Sequence, residues 1–371
     1  MNIAQVNLQK DWGGAEKHVS LLSRSLREAD HSVIVCSHPQ GRLRRDVESH
    51  GIRCLPITAI NQLDLMAGVK LAVRLARFRP DILHVHTPRD YISGLLASRF
   101  LPGSALVLTR HMMLPLKPMM RRLYAQTRGV FCLSAGMRLF LQTQGVPLSL
   151  LHHVRSGIDT ALFSAAALAQ RETIRREWKL APEEIAVGVV GRLVPGKGHS
   201  LLLEALSRLR KAEFQEDVPV VKCVFVGEGQ ERERLSRQAH ALGLSDYVFF
   251  TGFRNDIPAT LGALDVFTLP SQSELLPLSI MEAMAAGLPV LATEVGSLTE
   301  LIESEVSGLL TPPDDPEKLA VALRRLTADA ALRAKLGACA AERAHTDFTL
   351  EAMARETIGA YRLILTAQGR T

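Results

Sequence analysis

Short apolar runs rich in β-branched residues alternate with longer amphipathic stretches along this chain, and the alternation occurs twice. The first series consists of NIAQVNL, HSVIVC, DILHVH, ALVLT and GVFCLS, and the second, after residue 180, of EIAVGVVG, VKCVFVG, YVFFTG, DVFTLP and LPVLAT. Strands buried on both faces of a parallel sheet are apolar throughout and are joined by helices. The pattern therefore predicts an α/β protein with two doubly wound, Rossmann-like domains.

The segment between the two series, SGIDTALFSAAALAQRETIRREW, has no strand signal and places the domain junction near residues 156–165. A chain of 371 residues is long enough for two cores of ordinary size. We expect an N-terminal domain over residues 1–160 and a C-terminal domain over residues 161–350, with the carboxyl ends of both sheets facing a central cleft. Residues 351–371 are expected to form a helix that either closes the second domain or crosses back to the first.

Composition favours a folded intracellular protein. No apolar run approaches the roughly 18 residues that a membrane-spanning helix requires, and the N-terminus lacks the organisation of a signal peptide. The five cysteines are scattered without a C-x-x-C pair, so neither a disulfide framework nor a zinc site is indicated. We expect a cytoplasmic protein whose cysteines are small core residues.

Charge is distributed unevenly along the chain. Residues 1–160 contain 21 Lys or Arg against 10 Asp or Glu, a net charge of +11, whereas the remaining residues carry −5. This asymmetry indicates that the first half faces an anionic partner, either a phosphate-bearing substrate or an acidic membrane surface. A solvated basic surface without a partner is the alternative.

The segment GRLVPGKGHS, residues 191–200, follows a predicted strand and precedes a predicted helix. It has the G-x-x-x-x-G-K spacing of a P-loop through Lys197, but Gly198 stands where a P-loop needs Ser or Thr to bind magnesium. A nucleoside triphosphatase is therefore disfavoured. Arg192 and Lys197 on this glycine-rich turn instead indicate a diphosphate clamp, with a surface pair of basic residues as the alternative.

A second glycine turn lies near the N-terminus, in DWGGAEKHV. Gly13 and Gly14 stand between a strand and a helix, where a ligand can approach the backbone and the free amides. The turn is not G-x-G-x-x-G, so binding of a nicotinamide dinucleotide is not favoured. A plain tight turn is the alternative.

Two carboxylates stand eight residues apart in SELLPLSIMEAMAAGLPVLAT. Glu274 lies in the turn after a predicted strand, and Glu282 lies on an otherwise apolar helix. A buried carboxylate is costly unless a ligand or a partner group hydrogen-bonds it. Glu282 is therefore a candidate ligand-binding residue.

The motifs GGAE, TRH, GRLVPGKGH, GEG, TGF and E-x7-E, in this order and spacing, resemble those of the nucleotide-sugar glycosyltransferases of family 4. The resemblance covers nearly the whole chain, and its C-terminal motifs are the specific part. It implies the two-domain GT-B fold and a retaining transfer that uses neither a bound metal nor a cofactor, the nucleotide sugar being a substrate. The chain also has no D-x-D metal motif.

The resemblance implies a role for each matching position. Arg192 and Lys197 match the pair that grips the donor diphosphate, Glu274 matches the carboxylate at the donor sugar, and Glu282 matches the acceptor of the ribose hydroxyls. Backbone amides complete the phosphate cradle, and three further residues face or contact the sugar and the nucleobase. The amides are those of Gly14, Leu276 and Leu278; His111 faces the donor sugar, and Gly252 and Phe253 contact the nucleobase through the backbone.

Three residues depart from the family pattern: Leu275 and Ser297 replace small residues or glycine, and Ser156 replaces asparagine. Leu275 stands in the loop that approaches the phosphates. These departures leave open a second hypothesis, a catalytically silent relative that binds a nucleotide sugar or a membrane as a subunit.

The acceptor is expected on the basic N-terminal domain. Residues 110–128, RHMMLPLKPMMRRLYAQTR, combine methionines and leucines with basic residues that include Lys117, Arg121 and Arg122. A helix of this composition can lie on an anionic bilayer, as expected for an enzyme that extends lipopolysaccharide or a lipid-linked polysaccharide precursor at the inner face of a bacterial membrane. An ordinary helix with its methionines in the core, or a soluble phosphorylated acceptor, are the alternatives. A nucleic-acid partner is not expected, because no recognition module is present.

Overall fold

The computed structural model describes residues 1–163, 169–210 and 219–369, which form two α/β units. The first unit contains Met1–Gly157 and the chain from Leu350 onward, and the second contains Ile158–Thr349. The alanine-rich stretch predicted at the junction is described only in part, since residues 164–168 lie outside the described residues, as do the last two residues of the predicted C-terminal helix.

The first unit is built on a parallel sheet whose described strands follow the order β3-β2-β1-β4-β5-β6-β7. The strands are β1 (Asn2–Asn7), β2 (Ser32–Ser37), β3 (Arg53–Pro56), β4 (Ile82–Val85), β5 (Ala105–Arg110), β6 (Gly129–Cys132) and β7 (Leu151–His153). The helices are α1 (Gly14–Glu28), α2 (Arg42–Ser49), α3 (Leu65–Leu75), α4 (Tyr91–Arg99), α5 (Pro118–Tyr124) and α6 (Ala135–Thr143). A 3₁₀ turn, Leu148–Leu150, leads into β7.

The strand order reverses between β1 and β4, which pair in register through Ile3 and Ile82. At such a switch point the connections leave the sheet in opposite directions and open a crevice outside the carboxyl ends of the strands. The loop after β1 therefore lies beside the loop after β4, and both lie near the loop after β5.

The C-terminal helix, Leu350–Thr366, belongs to the first unit. Its buried face, which includes Met353, Tyr361 and Ile364, joins the core formed by α1 and the central strands. Arg155 secures the start of this helix through an ion pair with Glu356, with Nη2 and Oε1 2.5 Å apart. The helix thus stabilises the sheet that contains β1 and β4.

The second unit is built on a parallel sheet whose described strands follow the order β10-β9-β8-β11-β12-β13. The strands are β8 (Ile185–Val190), β9 (Val221–Val226), β10 (Val248–Gly252), β11 (Val266–Leu269), β12 (Val290–Thr293) and β13 (Leu309–Thr311). The helices are α7 (Arg171–Glu177), α8 (His199–Leu209), α9 (Arg232–Ala241), α10 (Ile257–Gly262), α11 (Leu278–Ala285), α12 (Leu298–Leu301), α13 (Pro316–Ala328) and α14 (Ala330–Asp347).

A buried arginine fixes the start of β11. The guanidinium of Arg175 on α7 donates to Asp265 Oδ2 at 2.9 Å and to the carbonyl of Glu184 at 2.6 Å, and Asp265 also accepts the backbone N–H of Ala186. An arginine that is only 7% exposed needs such partners, because a buried unpaired charge is strongly destabilising. The contacts hold β8 and β11 together at the switch point of the second sheet.

Two parallel α/β units of Rossmann type are present, as the apolar runs predicted. In the part of the chain that the structure describes, no helix is both long and apolar enough to span a bilayer.

Candidate active site

The loops after β8 and β11 meet at the switch point of the second sheet, and each contributes a charged side chain. Lys197 Nζ donates to Glu274 Oε1 at 2.5 Å, and the hydroxyl of Ser271 donates to the same oxygen at 2.8 Å. The Lys197 side chain is 28% exposed and the Glu274 side chain 9%. The sequence assigned these two residues to different parts of a donor, and the structure brings them into direct contact.

Two glycines allow the loops to approach this closely. Gly198 has φ +73°, and a Cβ atom there would stand 1.7 Å from the carbonyl oxygen of Pro270. Gly296 has φ +57°, and a Cβ atom there would stand 1.7 Å from the carbonyl oxygen of Glu274. A non-glycine residue at either position would displace the loop that carries Glu274, so both glycines are required for the geometry of the pair.

Two helices begin at these loops without a side-chain cap. The N-cap of α8 is Gly198 and that of α11 is Pro277, and neither supplies a side-chain hydrogen bond. The first amides of a helix have no partner within it and favour an anion. Leu276 is half-buried just before α11 and Leu278 is its first residue, so the amides named from the sequence belong to the loop that carries Glu274 and to the helix start that follows it.

Arg192 and Glu282 differ sharply in environment. Arg192 is exposed, and the described part of the chain gives its side chain no hydrogen bond or ion pair. Glu282 is 3% exposed on α11, among otherwise apolar buried residues. The exposed guanidinium is available to a ligand from solvent, and the buried carboxylate is held on a rigid helix.

Gly252 is the last residue of β10 and Phe253 follows it, at the carboxyl edge of the second sheet. Gly252 has φ +75° and accepts the backbone N–H of Gly227 at 2.9 Å, and a Cβ atom there would approach Glu228 Oε1 to 2.9 Å. Phe253 is 55% exposed. An exposed aromatic side chain beside a tight backbone contact is compatible with the predicted nucleobase contact.

The diglycine turn of the first unit begins α1. Gly13 is the N-cap without a side-chain hydrogen bond, and a Cβ atom at Gly14 would meet no atom within 4 Å. Glu16 in the first turn is buried and accepts a hydrogen bond from Asn7 Nδ2 at 2.9 Å. The open space at Gly14 leaves the amides of the first turn accessible.

His111 belongs to a group of buried imidazoles at the carboxyl edge of the first sheet. This histidine cluster consists of His18 on α1, His84 on β4, His86 after β4 and His111 after β5. The ring centroids of His18 and His111 are 5.2 Å apart, and those of His84 and His86 are 4.1 Å apart. Sequence analysis identified His111 alone.

Burial keeps the cluster uncharged at neutral pH. It lowers the pKa of His18 to about 4. Burial, followed by the neighbouring imidazoles, holds the pKa of His84, His86 and His111 well below the ordinary value of histidine. The desolvation of the charged form is the main cause in each case, so each imidazole is neutral and has one nitrogen with a lone pair.

The basic segment 110–128 is not the continuous helix that its composition suggested. Only Pro118–Tyr124 is helical, and Arg110 is a buried residue whose guanidinium binds the carbonyls of Met112 and Leu114 and the hydroxyl of Tyr124. The helical reading of the whole segment is wrong because Arg110 folds residues 112–114 back over its own side chain.

The same segment still exposes apolar and basic side chains together. Met112, Leu114 and Met119 are each slightly more than half exposed. The basic residues named from the sequence, Lys117, Arg121 and Arg122, are exposed as well. We call residues 112–122 the basic apolar segment.

A second exposed apolar surface was missed by sequence analysis. It lies on α3, where Leu65, Met66 and Val73 are 58%, 60% and 69% exposed, beside the exposed Lys70 and Arg74. The apolar residues of α3 have the spacing of a single helix face. Such a stripe normally predicts a buried face, so the spacing alone does not indicate an exposed surface.

Two Rossmann-like sheets, with a lysine–carboxylate pair and uncapped helix N-termini at a switch point, define a protein class that binds anionic nucleotides. Two family models match the chain in succession: Glycosyltransferase Family 4 over residues 12–162 and Glycosyl transferases group 1 over residues 170–343. The chain belongs to the glycosyltransferases of family 4.

Curated relatives carry several activities. The 2-deoxystreptamine N-acetyl-D-glucosaminyltransferase of Streptomyces fradiae is 30% identical over 86% of this chain and 82% of its own length. The GDP-mannose-dependent phosphatidylinositol monomannoside mannosyltransferase of Mycobacterium tuberculosis is 29% identical over 81% of this chain and 73% of its own length. The D-inositol 3-phosphate glycosyltransferase of Salinispora tropica is 36% identical over 56% of this chain, and the match spans only 45% of that relative.

Solved structures establish the GT-B fold. A glycosyltransferase from Rickettsia africae matches with a TM-score of 0.87 at 21% identity, over 98% of both chains. Anabaena HepE, solved in complex with UDP, matches with a TM-score of 0.84 at 23% identity, over 98% of this chain and all of the other.

Proposed function

We propose that this chain transfers a sugar from a nucleotide diphosphate donor, with a UDP-sugar as the first candidate, to a glycan or glycolipid acceptor. The observation that carries the proposal is the contact of Lys197 with Glu274 at the switch point of the second sheet. A crevice at a switch point is the usual ligand site of an open α/β sheet. Membership of family 4 makes a nucleotide sugar the natural ligand of that crevice.

The second unit supplies the groups that a donor diphosphate requires. Lys197 offers a compact charge and the exposed Arg192 a planar fork, and both neutralise charge that grows on the phosphate as it leaves. The uncapped N-termini of α8 and α11 add backbone amides. Because cationic side chains and amides perform this task, the proposal needs no bound metal ion.

The proposed reaction retains the configuration at the sugar. The bond from the anomeric carbon to the phosphate oxygen breaks, the bond from the same carbon to the acceptor oxygen forms on the same face, and the acceptor proton passes to the departing phosphate oxygen. Glu274 orients the sugar and stabilises its positive charge. It is not proposed as a nucleophile, because Lys197 and Ser271 already engage its Oε1.

The proposal gives the first unit two tasks. It binds the acceptor, which its positive charge favours if the acceptor is phosphorylated or lies in an anionic membrane. It also contacts the donor through His111 and the amide of Gly14. Relatives named for phosphatidylinositol monomannoside and for inositol 3-phosphate support an acceptor that carries phosphate.

Binding of nucleoside diphosphates tests the donor site directly. We expect one UDP, GDP or ADP per chain to bind in the presence of EDTA, measured by isothermal titration calorimetry. Glu282→Ala should weaken that binding about 10- to 100-fold, because a hydrogen bond from a ligand to a buried carboxylate contributes about 1.5–3 kcal/mol.

Glu317→Ala is the matched control, since the Glu317 side chain is 61% exposed on α13. It should bind the nucleotide as tightly as the unaltered protein. Equal affinity in the Glu282 and Glu317 variants would show that Glu282 does not hold the ribose.

We further propose that the basic apolar segment binds the inner face of an anionic membrane. Lys117→Ala combined with Arg122→Ala should weaken binding to phosphatidylglycerol-containing vesicles about 30-fold, since each basic residue contributes about 1 kcal/mol near such a surface. Vesicle sedimentation measures the change, with neutral phosphatidylcholine vesicles as the reference.

Lys70→Ala combined with Arg74→Ala removes the same charge from the exposed surface of α3. This second double variant should retain binding if the basic apolar segment is the membrane contact. Loss of binding in the α3 variant alone would assign the contact to α3 and refute the role of Lys117 and Arg122.

A further inference from the structure

Three members of the histidine cluster converge on one point. His18, His86 and His111 each offer a ring nitrogen, and these three atoms lie within 4.8 Å of one another. They come from α1, from the loop after β4 and from the loop after β5, so the switch point of the first sheet brings them together. The ring centroids are 5.2–6.0 Å apart.

A hydrogen-bond network fixes which nitrogen of His86 carries a lone pair. Gln5 donates its amide to the hydroxyl of Tyr361 at 3.3 Å, so its carbonyl oxygen is the atom that contacts His86 Nε2 at 2.5 Å. A carbonyl oxygen only accepts, and His86 must therefore donate from Nε2. The lone pair is on Nδ1, which is buried without a hydrogen-bond partner among the described residues.

His18 and His111 complete the group. His18 Nδ1 shares a 2.8 Å hydrogen bond with the hydroxyl of Ser156, which leaves Nε2 as the nitrogen for a ligand. His111 Nε2 is buried, and the described residues give it no partner. His84 shows the contrast, because both of its nitrogens are bonded, to Tyr361 at 2.5 Å and to Thr109 at 2.6 Å.

A buried nitrogen without a partner costs about 1–3 kcal/mol, so His86 Nδ1 and His111 Nε2 favour a ligand from outside the chain. A sugar hydroxyl has one proton to donate and a water molecule has two, so neither can donate hydrogen bonds to all three nitrogens at once. A metal cation accepts three lone pairs at once, and imidazole suits zinc and its neighbours in the first transition series.

We propose that His18, His86 and His111 bind one divalent transition-metal ion of the zinc class, and that the bound ion inhibits sugar transfer. The inhibitory role rests on the proposed function, in which His111 contacts the donor, because the bound ion would occupy the imidazole of His111. Three histidines with a fourth position open to water are a known zinc arrangement. Ser156 and Gln5 hold the outer nitrogens of two ligands, as second partners of metal-bound histidines do.

The site needs a small closure to bind the ion. Zinc–nitrogen bonds of about 2.0–2.1 Å in a tetrahedral site separate the nitrogens by about 3.4 Å. The nitrogens now lie within 4.8 Å of one another, so each pair has at most about 1.4 Å to close, which rotation of the imidazole rings supplies.

Zinc binding is measured on the full chain after EDTA treatment and dialysis, by titration with zinc chloride against a chromophoric chelator. We expect one zinc ion per chain. His86→Ala and His111→Ala should each weaken binding at least about 100-fold, whereas His50→Ala, which removes an exposed imidazole of the same unit, should leave it unchanged. Circular dichroism verifies that each variant is folded, and the visible absorption of bound Co²⁺ reports four-coordinate geometry.

Substoichiometric zinc, or one zinc ion that survives the His86 and His111 substitutions, would overturn the site. Inhibition is tested in a donor-hydrolysis assay, where turnover should fall in proportion to zinc occupancy and recover with EDTA. Full turnover at full occupancy would overturn the inhibitory role. If no donor is hydrolysed at all, the proposed function fails while the binding result stands by itself.

Discussion

Replacing Lys197 with alanine is expected to slow sugar transfer about 100- to 1,000-fold, the usual effect of removing one group that stabilises developing negative charge. The substitution removes the cation proposed to bind the leaving diphosphate. It also leaves Glu274, whose side chain is 9% exposed, without its ion-pair partner. The free energy of unfolding should fall by about 1–2 kcal/mol, between the values for exposed and buried pairs.

Steady-state kinetics with the preferred donor measure the first effect, and the split between kcat and KM identifies its origin. Lys318→Ala is the matched control, because the Lys318 side chain is 63% exposed on α13. An unchanged kcat/KM for Lys197→Ala would show that the lysine pairs with Glu274 for structural reasons and does not serve the donor.

Gly198→Ala is expected to abolish donor binding and to destabilise the second unit by about 3 kcal/mol or more. The new Cβ atom would stand 1.7 Å from the Pro270 carbonyl oxygen, so the loop after β11 must move and separate Glu274 from Lys197. The left-handed backbone at φ +73° adds about 1–2 kcal/mol.

Gly243→Ala isolates the contribution of the clash. Gly243 has φ +69° and no atom within 4 Å of the added Cβ, so it has the backbone cost alone. Urea unfolding of both variants is followed by the fluorescence of Trp178, which is buried in the second unit, in a Trp12→Phe background that silences the first unit. Equal destabilisation of the two glycine variants would contradict the tight contact between the loops.

The apolar runs predicted ten of the thirteen strands that the structure describes, and three short edge strands were missed. All ten apolar runs contain a strand. Nine of these strands lie inside a sheet between two neighbours, and the tenth, β10, forms an edge of the second sheet. The strands β3, β7 and β13 were missed. Each forms an edge of its sheet, has three or four residues and buries fewer side chains, so its sequence carries little apolar signal.

The candidate site was predictable only where motifs mark it. The glycine-rich turn indicated Lys197, and the pair of carboxylates eight residues apart indicated Glu274. Their direct contact depends on the strand order, which spacing does not reveal. The histidine cluster was invisible for the same reason: His18, His86 and His111 are far apart in sequence and meet only through the switch point. The fold of residues 110–128 depends on Arg110. This arginine is buried, although the basic composition of the segment predicts exposed charged side chains.

Cleavage of a nucleotide sugar by this chain is the activity on which every role proposed for its residues depends. The measurement is nucleotide release from a panel of UDP-, GDP- and ADP-sugars with EDTA present, for the unaltered protein, for Glu274→Ala and for Glu317→Ala as the control. We predict slow release from one donor, which is lost in Glu274→Ala and kept in Glu317→Ala. Donor binding without release, even with a glycolipid acceptor added, would identify a nucleotide-sugar-binding subunit, and the absence of both binding and release would contradict the assigned site.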